Sequence, residues 1–210
     1  IWTTTPWTLP SNLGVCIGSK IPYVKVRNTA DGKIWYCAKD RYPSYAEKIK
    51  SLEIVCDISA DTLICRSYTP FFPYFTNLKN EGAFKIFSDD FVSTEDGTGL
   101  VHMAPAFGEE DHRVMKAAGI HTFACPIDAH GKFTEEVPDF QGQYVKDADK
   151  SIIRTLKDRG LVLLHESFLH SYPFCPRSDT PLIYRAIPSW YVKVESLKEG
   201  LIQANQDIHW

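Results

Sequence analysis

The apolar residues of this chain are gathered in short runs separated by turn-forming residues, and this punctuation limits the fold more than any other feature. With 13 prolines and 13% aromatic residues in a chain of 210, the pattern favours many short strands joined by turns over a bundle of long helices. Strands are expected at 13–18, 21–28, 33–38, 53–58, 63–68, 84–87, 99–103, 161–168, 182–187 and 190–194, with Asp31-Gly32 closing a hairpin. Helical spacing is confined to a short turn after an N-cap candidate, Ser44, to 109–118 with Gly119 as its stop, and to 147–159 with Gly160 behind it. The expected class is β-rich α+β, a β-barrel core carrying two or three peripheral helices.

A chain of this length buries a sizeable core without disulfide or metal staples. Its longest apolar runs, such as 160–164, stop far short of the roughly 18 to 20 residues of a membrane span, so no membrane partner is expected. Six cysteines form no C-x-x-C pair, and Cys175-Pro176-Arg177-Ser178 offers one thiolate where a zinc knuckle needs two. The histidines are too scattered to close a coordination sphere, so the expectation is no metal, reduced cysteines and a cytoplasmic setting. A net charge of −3 lacks the basic footprint of an autonomous nucleic-acid binder, and DNA is not an expected partner. The first residues, Ile1-Trp2-Thr3, and the last, Asp207-Ile208-His209-Trp210, read like a cut at both ends. We therefore expect a single domain, 1–210, from a longer protein, with 1–12 and 189–210 as stems leading to the rest.

Three segments carry candidate chemistry. Trp2-Thr3-Thr4-Thr5-Pro6-Trp7-Thr8-Leu9-Pro10-Ser11-Asn12 sets four hydroxyls and a carboxamide on a backbone stiffened by prolines. It suits either an edge strand or the wall of a polar pocket. In Asp96-Gly97-Thr98-Gly99-Leu100-Val101-His102-Met103-Ala104-Pro105 a glycine turn feeds a strand. A dinucleotide loop would open a helix instead. An aspartic protease would need two Asp-Thr/Ser-Gly loops, which the chain lacks. The lone histidine fits a structural role as well as a pocket. The third segment, Gly108-Glu109-Glu110-Asp111-His112, gathers acids at a helix start, where they complement the dipole. Nine residues part His102 from Asp111, few enough for both to line one cleft.

Taken together, these segments resemble the editing domain inserted into the catalytic fold of isoleucyl-tRNA synthetase. The resemblance rests on residues 2–12, on Gly-Thr-Gly-Leu-Val-His-Met-Ala-Pro at 97–105, on Gly-Glu-Glu-Asp at 108–111 and on Ser-Tyr-Pro-Phe-Cys-Pro-Arg-Ser-Asp-Thr-Pro-Leu at 171–182. Gly142-Gln143-Tyr144-Val145-Lys146-Asp147-Ala148-Asp149 looks like the eukaryotic cytosolic branch, and Pro176 stands where the family pattern has Trp. The family implies hydrolysis of valyl-tRNA(Ile) within an ATP-dependent ligase, and leaves valyl-adenylate open as a second substrate. Isoleucine and valine differ by one methylene, worth about 1–3 kcal/mol in an apolar pocket, a limit for which this family is the standard example. A smaller hydrolytic site rejects isoleucine by clash.

The resemblance also implies residue roles. Asp111 pairs with the substrate ammonium, and Thr3, Thr4 and Thr5 hold the terminal adenosine, the aminoacyl group and the attacking water. His102 sizes the pocket, Trp2, Trp7 and Thr8 support it, and Asn12 and Tyr172 stand further back. No cofactor is implied, and the partners are the valine-bearing acceptor end of tRNA(Ile) and the rest of the synthetase. Valyl- and leucyl-type editing domains carry Thr-Thr-Arg-Pro in the first segment, where this chain has Thr5 before Pro6. A non-catalytic module that holds the aminoacylated end is the alternative of a different class.

Overall fold

A computed structural model describes residues 1–167 and 171–209. The core strand is β1 (Gly14–Ile17), every residue of which is buried, as its unbroken apolar run requires. It pairs parallel with β5 (Lys85–Ser88) and antiparallel with β6 (Leu100–Met103). A second sheet places β2 (Tyr23–Asn28) between β3 (Ile34–Ala38) and β4 (Leu52–Ile58), all antiparallel, with a bulge in β4 opposite Lys25 and Val26. Tyr23 joins the two sheets: its buried hydroxyl donates to the Gly99 carbonyl at 2.7 Å and accepts from the Gly18 amide at 2.9 Å.

Helix α1 (Tyr42–Lys48) packs beside the second sheet, and α2 (Glu109–Ala117) buries Val114 and Met115 against β1 and its neighbours. In α3 (Val145–Asp158) the buried residues are Val145, Ala148, Ile152 and Leu156, one stripe at helical spacing. That stripe packs on Trp7, Leu9, Phe72 and Phe140, each large side chain stabilising by roughly 1.5–3 kcal/mol. Residues Pro6–Ser11 form a 3-10 helix lying on α3. The outermost element, α4 (Val194–Gln206), has no buried residue.

The β-rich α+β class matches this architecture, but the six described strands form two open three-stranded sheets and do not close into a barrel. Residues 63–68 run beside β5, yet Cys65 at φ 64° breaks the ladder and leaves an isolated bridge, Ser67 to Lys85. No strand forms over 161–167, and Phe168, the end of that expected strand, lies outside the described residues. Residues 182–187 follow an isolated Phe174–Pro181 bridge without a ladder of their own. The expected strand at 190–194 is exposed and has no partner strand among the described residues; good helix formers after Lys193 make α4 instead. Ser44 is not an N-cap. Helix α1 begins earlier, at Tyr42, with Pro43 in its first turn, and Ser44 Oγ donates to the Arg41 carbonyl.

Gly99 tests the junction of the sheets. Its φ is +73°, and a Cβ there would sit 2.6 Å from the Ala38 Cβ. Gly32 has a similar φ of +71° with nothing within 4 Å. Urea unfolding is expected to show Gly99→Ala destabilised by at least about 2 kcal/mol, and Gly32→Ala by only about 1 kcal/mol.

Candidate active site

His102 lies on β6 opposite Val15 and is only 7% exposed, so its ring must find partners inside the protein. Asn12 Nδ2 donates to the Gly14 carbonyl at 2.8 Å, which identifies it as the amide nitrogen, and it lies 2.8 Å from His102 Nδ1. Nδ1 therefore accepts, and Nε2 carries the hydrogen. Nε2 lies 3.0 Å from Thr8 Oγ1, and that hydroxyl in turn donates to the Thr5 carbonyl at 2.9 Å. Behind Asn12, the Tyr68 hydroxyl donates to Oδ1. The donors thus run in one direction, from Tyr68 through Asn12, His102 and Thr8 to Thr5.

The threonine segment continues this chain. Thr5 Oγ1 stands 3.4 Å from both Thr3 Oγ1 and Thr8 Oγ1, and the Thr5 amide donates to Thr3 Oγ1 at 3.1 Å. Thr3 and Thr5 are half-buried, whereas Thr4 is exposed. Trp2 is tied to β6 by a bridge to Val101, and its ring covers Gly97, where a Cβ would come within 2.8 Å. Trp2 and Thr3 also border a cavity of about 620 Å³ whose walls include Trp35, Tyr45 and Phe71. His102, Thr8 and Asp111 are not among its lining residues.

Asp111 occupies the first turn of α2, where its Oδ2 accepts the Ala104 amide at 2.8 Å. Ala104 is two residues past His102, so this one bond brings the carboxylate to the end of the histidine strand. Gly108 leaves room beside it: a Cβ there would lie 2.7 Å from Oδ2, so a larger residue would displace the carboxylate. Burial pushes the Asp111 pKa above its ordinary 3.8. Arg113 steadies α2 from outside, with both terminal guanidinium nitrogens on Asp89 and one of them also on Glu110.

Trp7 is fixed separately. Its amide donates to Asp149 Oδ1 at 2.8 Å, its ring meets Phe107 edge-on, and Lys146 Nζ lies 5.5 Å from the ring centroid. The same ammonium lies over Tyr172, whose hydroxyl donates to the Leu182 carbonyl. The structure thus links Thr3, Thr5, Thr8, Asn12 and His102 by hydrogen bonds and seats Asp111 nearby, whereas Tyr172 reaches Trp7 by way of Lys146. Tyr68, Lys146 and Asp149 have no counterpart among the sequence-derived site residues, since nothing local marks them. Among the described residues no group of three or more His, Cys, Asp or Glu side chains is placed to hold a metal ion.

Burial lowers the His102 pKa from 6.5 to about 3. An unfolded chain takes up this proton near pH 6.5, whereas the folded one refuses it until about pH 3. Between those limits the unfolded state binds more protons, so stability falls as pH falls, by up to about 1.4 kcal/mol per pH unit. The carboxylates titrate in the same window, so the test is a difference: denaturant unfolding is expected to show stability falling more steeply with pH in the wild type than in His102→Gln, which retains every carboxylate.

No family model matches the chain. It is 45% identical over its whole length to an isoleucine–tRNA ligase of Chlamydia pneumoniae and 50% identical to that of Bdellovibrio bacteriovorus. The cytoplasmic isoleucine–tRNA ligase of Mus musculus is 47% identical, also across the full chain. The match spans 20%, 20% and 17% of those proteins respectively, so the chain covers about a fifth of their length. Bacterial and eukaryotic relatives therefore match within the same range of identity. The fold superposes on the leucyl-tRNA synthetase domain GlLeuRS-CP1 with a TM-score of 0.60 at 13% identity, covering 80% of this chain and 83% of that one. It superposes on the P. falciparum cytosolic leucyl-tRNA synthetase editing domain with a TM-score of 0.56 at 12% identity, covering 76% of each. Over its whole length the chain matches one segment of the isoleucine–tRNA ligases, and its fold is that of the synthetase editing domains.

Proposed function

We propose that this segment hydrolyses the ester of valine misacylated to tRNA(Ile), acting with the rest of a cytoplasmic synthetase that carries the tRNA body. The observation that supports it is the junction at Ala104: its amide binds Asp111, while His102, two residues earlier, is wired through Thr8 to the threonine segment. An anion, a neutral pocket residue and several hydroxyls thereby converge on one stretch of β6.

In this reading the ionised Asp111 carboxylate pairs with the substrate ammonium and so fixes the ester carbonyl. One carboxylate oxygen is engaged by Ala104, which leaves the other for that ion pair. Thr3 Oγ1 accepts the Thr5 amide, and its own hydrogen can turn from Thr5 Oγ1, 3.4 Å away, to a water or to the developing oxyanion. Thr4, being exposed, suits contact with the terminal ribose, and Trp2 offers a face for the adenine beside the aromatic cavity. Neutral His102 walls the side-chain pocket, held rigidly by Asn12 and Thr8. Water adds to the carbonyl and the ester C–O bond breaks, releasing valine and a free terminal hydroxyl. The ester is already activated, so this reading invokes neither a cofactor nor a covalent intermediate. Sequence identity of 43–50% to isoleucine ligases favours this substrate over the valyl and leucyl alternatives.

Deacylation of valyl-tRNA(Ile) tests the reading. Asp111→Ala is expected to lower kcat/KM by about 10- to 100-fold, the worth of a charged hydrogen bond; an unchanged rate would remove Asp111 from the site. Tight binding without hydrolysis by the wild type would instead favour the non-catalytic module. Because burial raises the Asp111 pKa, the ionised fraction declines at a higher pH than for an exposed aspartate, and kcat/KM is expected to fall correspondingly early on acidification. His102→Ala is expected to enlarge the pocket and admit isoleucine, seen as new hydrolysis of isoleucyl-tRNA(Ile). If the variant still spares that ester, His102 does not set the size limit.

A further inference from the structure

The 3-10 helix Pro6–Ser11 lacks a cap of its own. Its N-cap residue, Thr5, makes no side-chain capping bond, and Pro6 has no amide hydrogen to offer. The first amide needing a partner is that of Trp7, which is 4% exposed and out of reach of bulk water. That partner comes from Asp149 on α3, 142 positions along the chain, at 2.8 Å. We infer that Asp149 is a positioning residue for the threonine wall of the editing site, capping from another element the turn that carries Thr8; this rests on the hydrolytic reading above.

The coupling follows from covalent continuity. Thr8 is the residue after Trp7, and its hydroxyl both donates to the Thr5 carbonyl and takes the His102 Nε2 hydrogen. A turn that shifts on losing its cap carries Thr8 away from both partners and releases Thr5 and Thr3 behind it. Lys146, three residues before Asp149 and so on the same face of α3, reinforces the hold by lying over the Trp7 ring. Val145, Ala148 and Ile152 pack in the same core as Trp7 and Leu9, which fixes α3 as the platform. Burial raises the Asp149 pKa, the mark of a carboxylate kept from water beside that platform.

Only an acceptor oxygen is needed at this position, so Asp149→Asn and Asp149→Ala make the test. In valyl-tRNA(Ile) deacylation, Asp149→Ala is expected to lower kcat by about tenfold or more with KM changed less than about threefold, while Asp149→Asn stays near wild type. Hydrogen exchange at the Trp7 amide, followed by NMR, should quicken in Asp149→Ala and remain slow in Asp149→Asn. Unchanged Trp7 protection in Asp149→Ala overturns the cap, and faster exchange with unchanged kcat overturns the positioning role. Should Asp149→Ala fail to fold, Asp149→Glu replaces it: the displaced carboxylate is expected to lower kcat and quicken Trp7 exchange, and wild-type values of both overturn the inference. If the wild type does not hydrolyse the ester at all, the hydrolytic reading fails, and the cap stands or falls on Trp7 exchange alone.

Discussion

A buried imidazole that stays neutral can offer one donor and one acceptor, and the candidate site is organised around that restriction. Asn12 uses its amide hydrogens on His102 and on the Gly14 carbonyl, so the ring has no freedom in which nitrogen carries the proton. Thr8 receives that proton's direction and passes it to the Thr5 carbonyl. The links among Asn12, His102 and Thr8 are buried, where hydrogen bonds are electrostatically stronger and a broken one is costly. In the proposed reaction, discrimination between side chains that differ by one methylene needs a wall with this kind of rigidity, because a wall that yields by a fraction of an ångström yields the selectivity with it.

The acidic residues between Glu81 and Asp111 divide by what they meet. Asp89 and Glu110 converge on Arg113: the Asp89 pair ties α2 to the end of β5, while the Glu110 pair lies within α2 itself. Both pairs are partly exposed, and each contributes little stability. Asp111, on the same first turn, faces inward and finds a backbone amide instead of a cation. No cation offsets its charge at that bond, which is the feature that the proposed pairing with a substrate ammonium uses.

Local pattern made the strands and helices of the first 160 residues largely legible. The run Gly14–Ile17, the hairpin around Asp31-Gly32 and the spacing of Ile152 and Leu156 all carry their burial in the order of residues. After Gly160 the same reasoning failed: 182–187 has strand composition, but among the described residues it makes single backbone bonds, Leu182 to Pro173 and Ala186 to Ala106, without a continuous ladder. The site was legible where its residues are adjacent, in the threonine segment and around His102 and Asp111. Tyr68 and Asp149 were not, because their importance arises from partners 56 and 142 positions away. Pairing over such distances belongs to the folded topology and leaves no mark on the local sequence.

The carboxyl-terminal arm has a thermodynamic consequence of its own. Since α4 buries nothing, its formation adds no apolar burial to the free energy that holds the two sheets together. Thirteen residues are close to the lower limit for a helix without tertiary support. Heating should therefore erode helical ellipticity gradually, well before the sheets unfold cooperatively. The fully exposed Trp190 would report no blue-shifted emission in either state, whereas Trp7 and the half-buried Trp35 sit against the core and their fluorescence follows it.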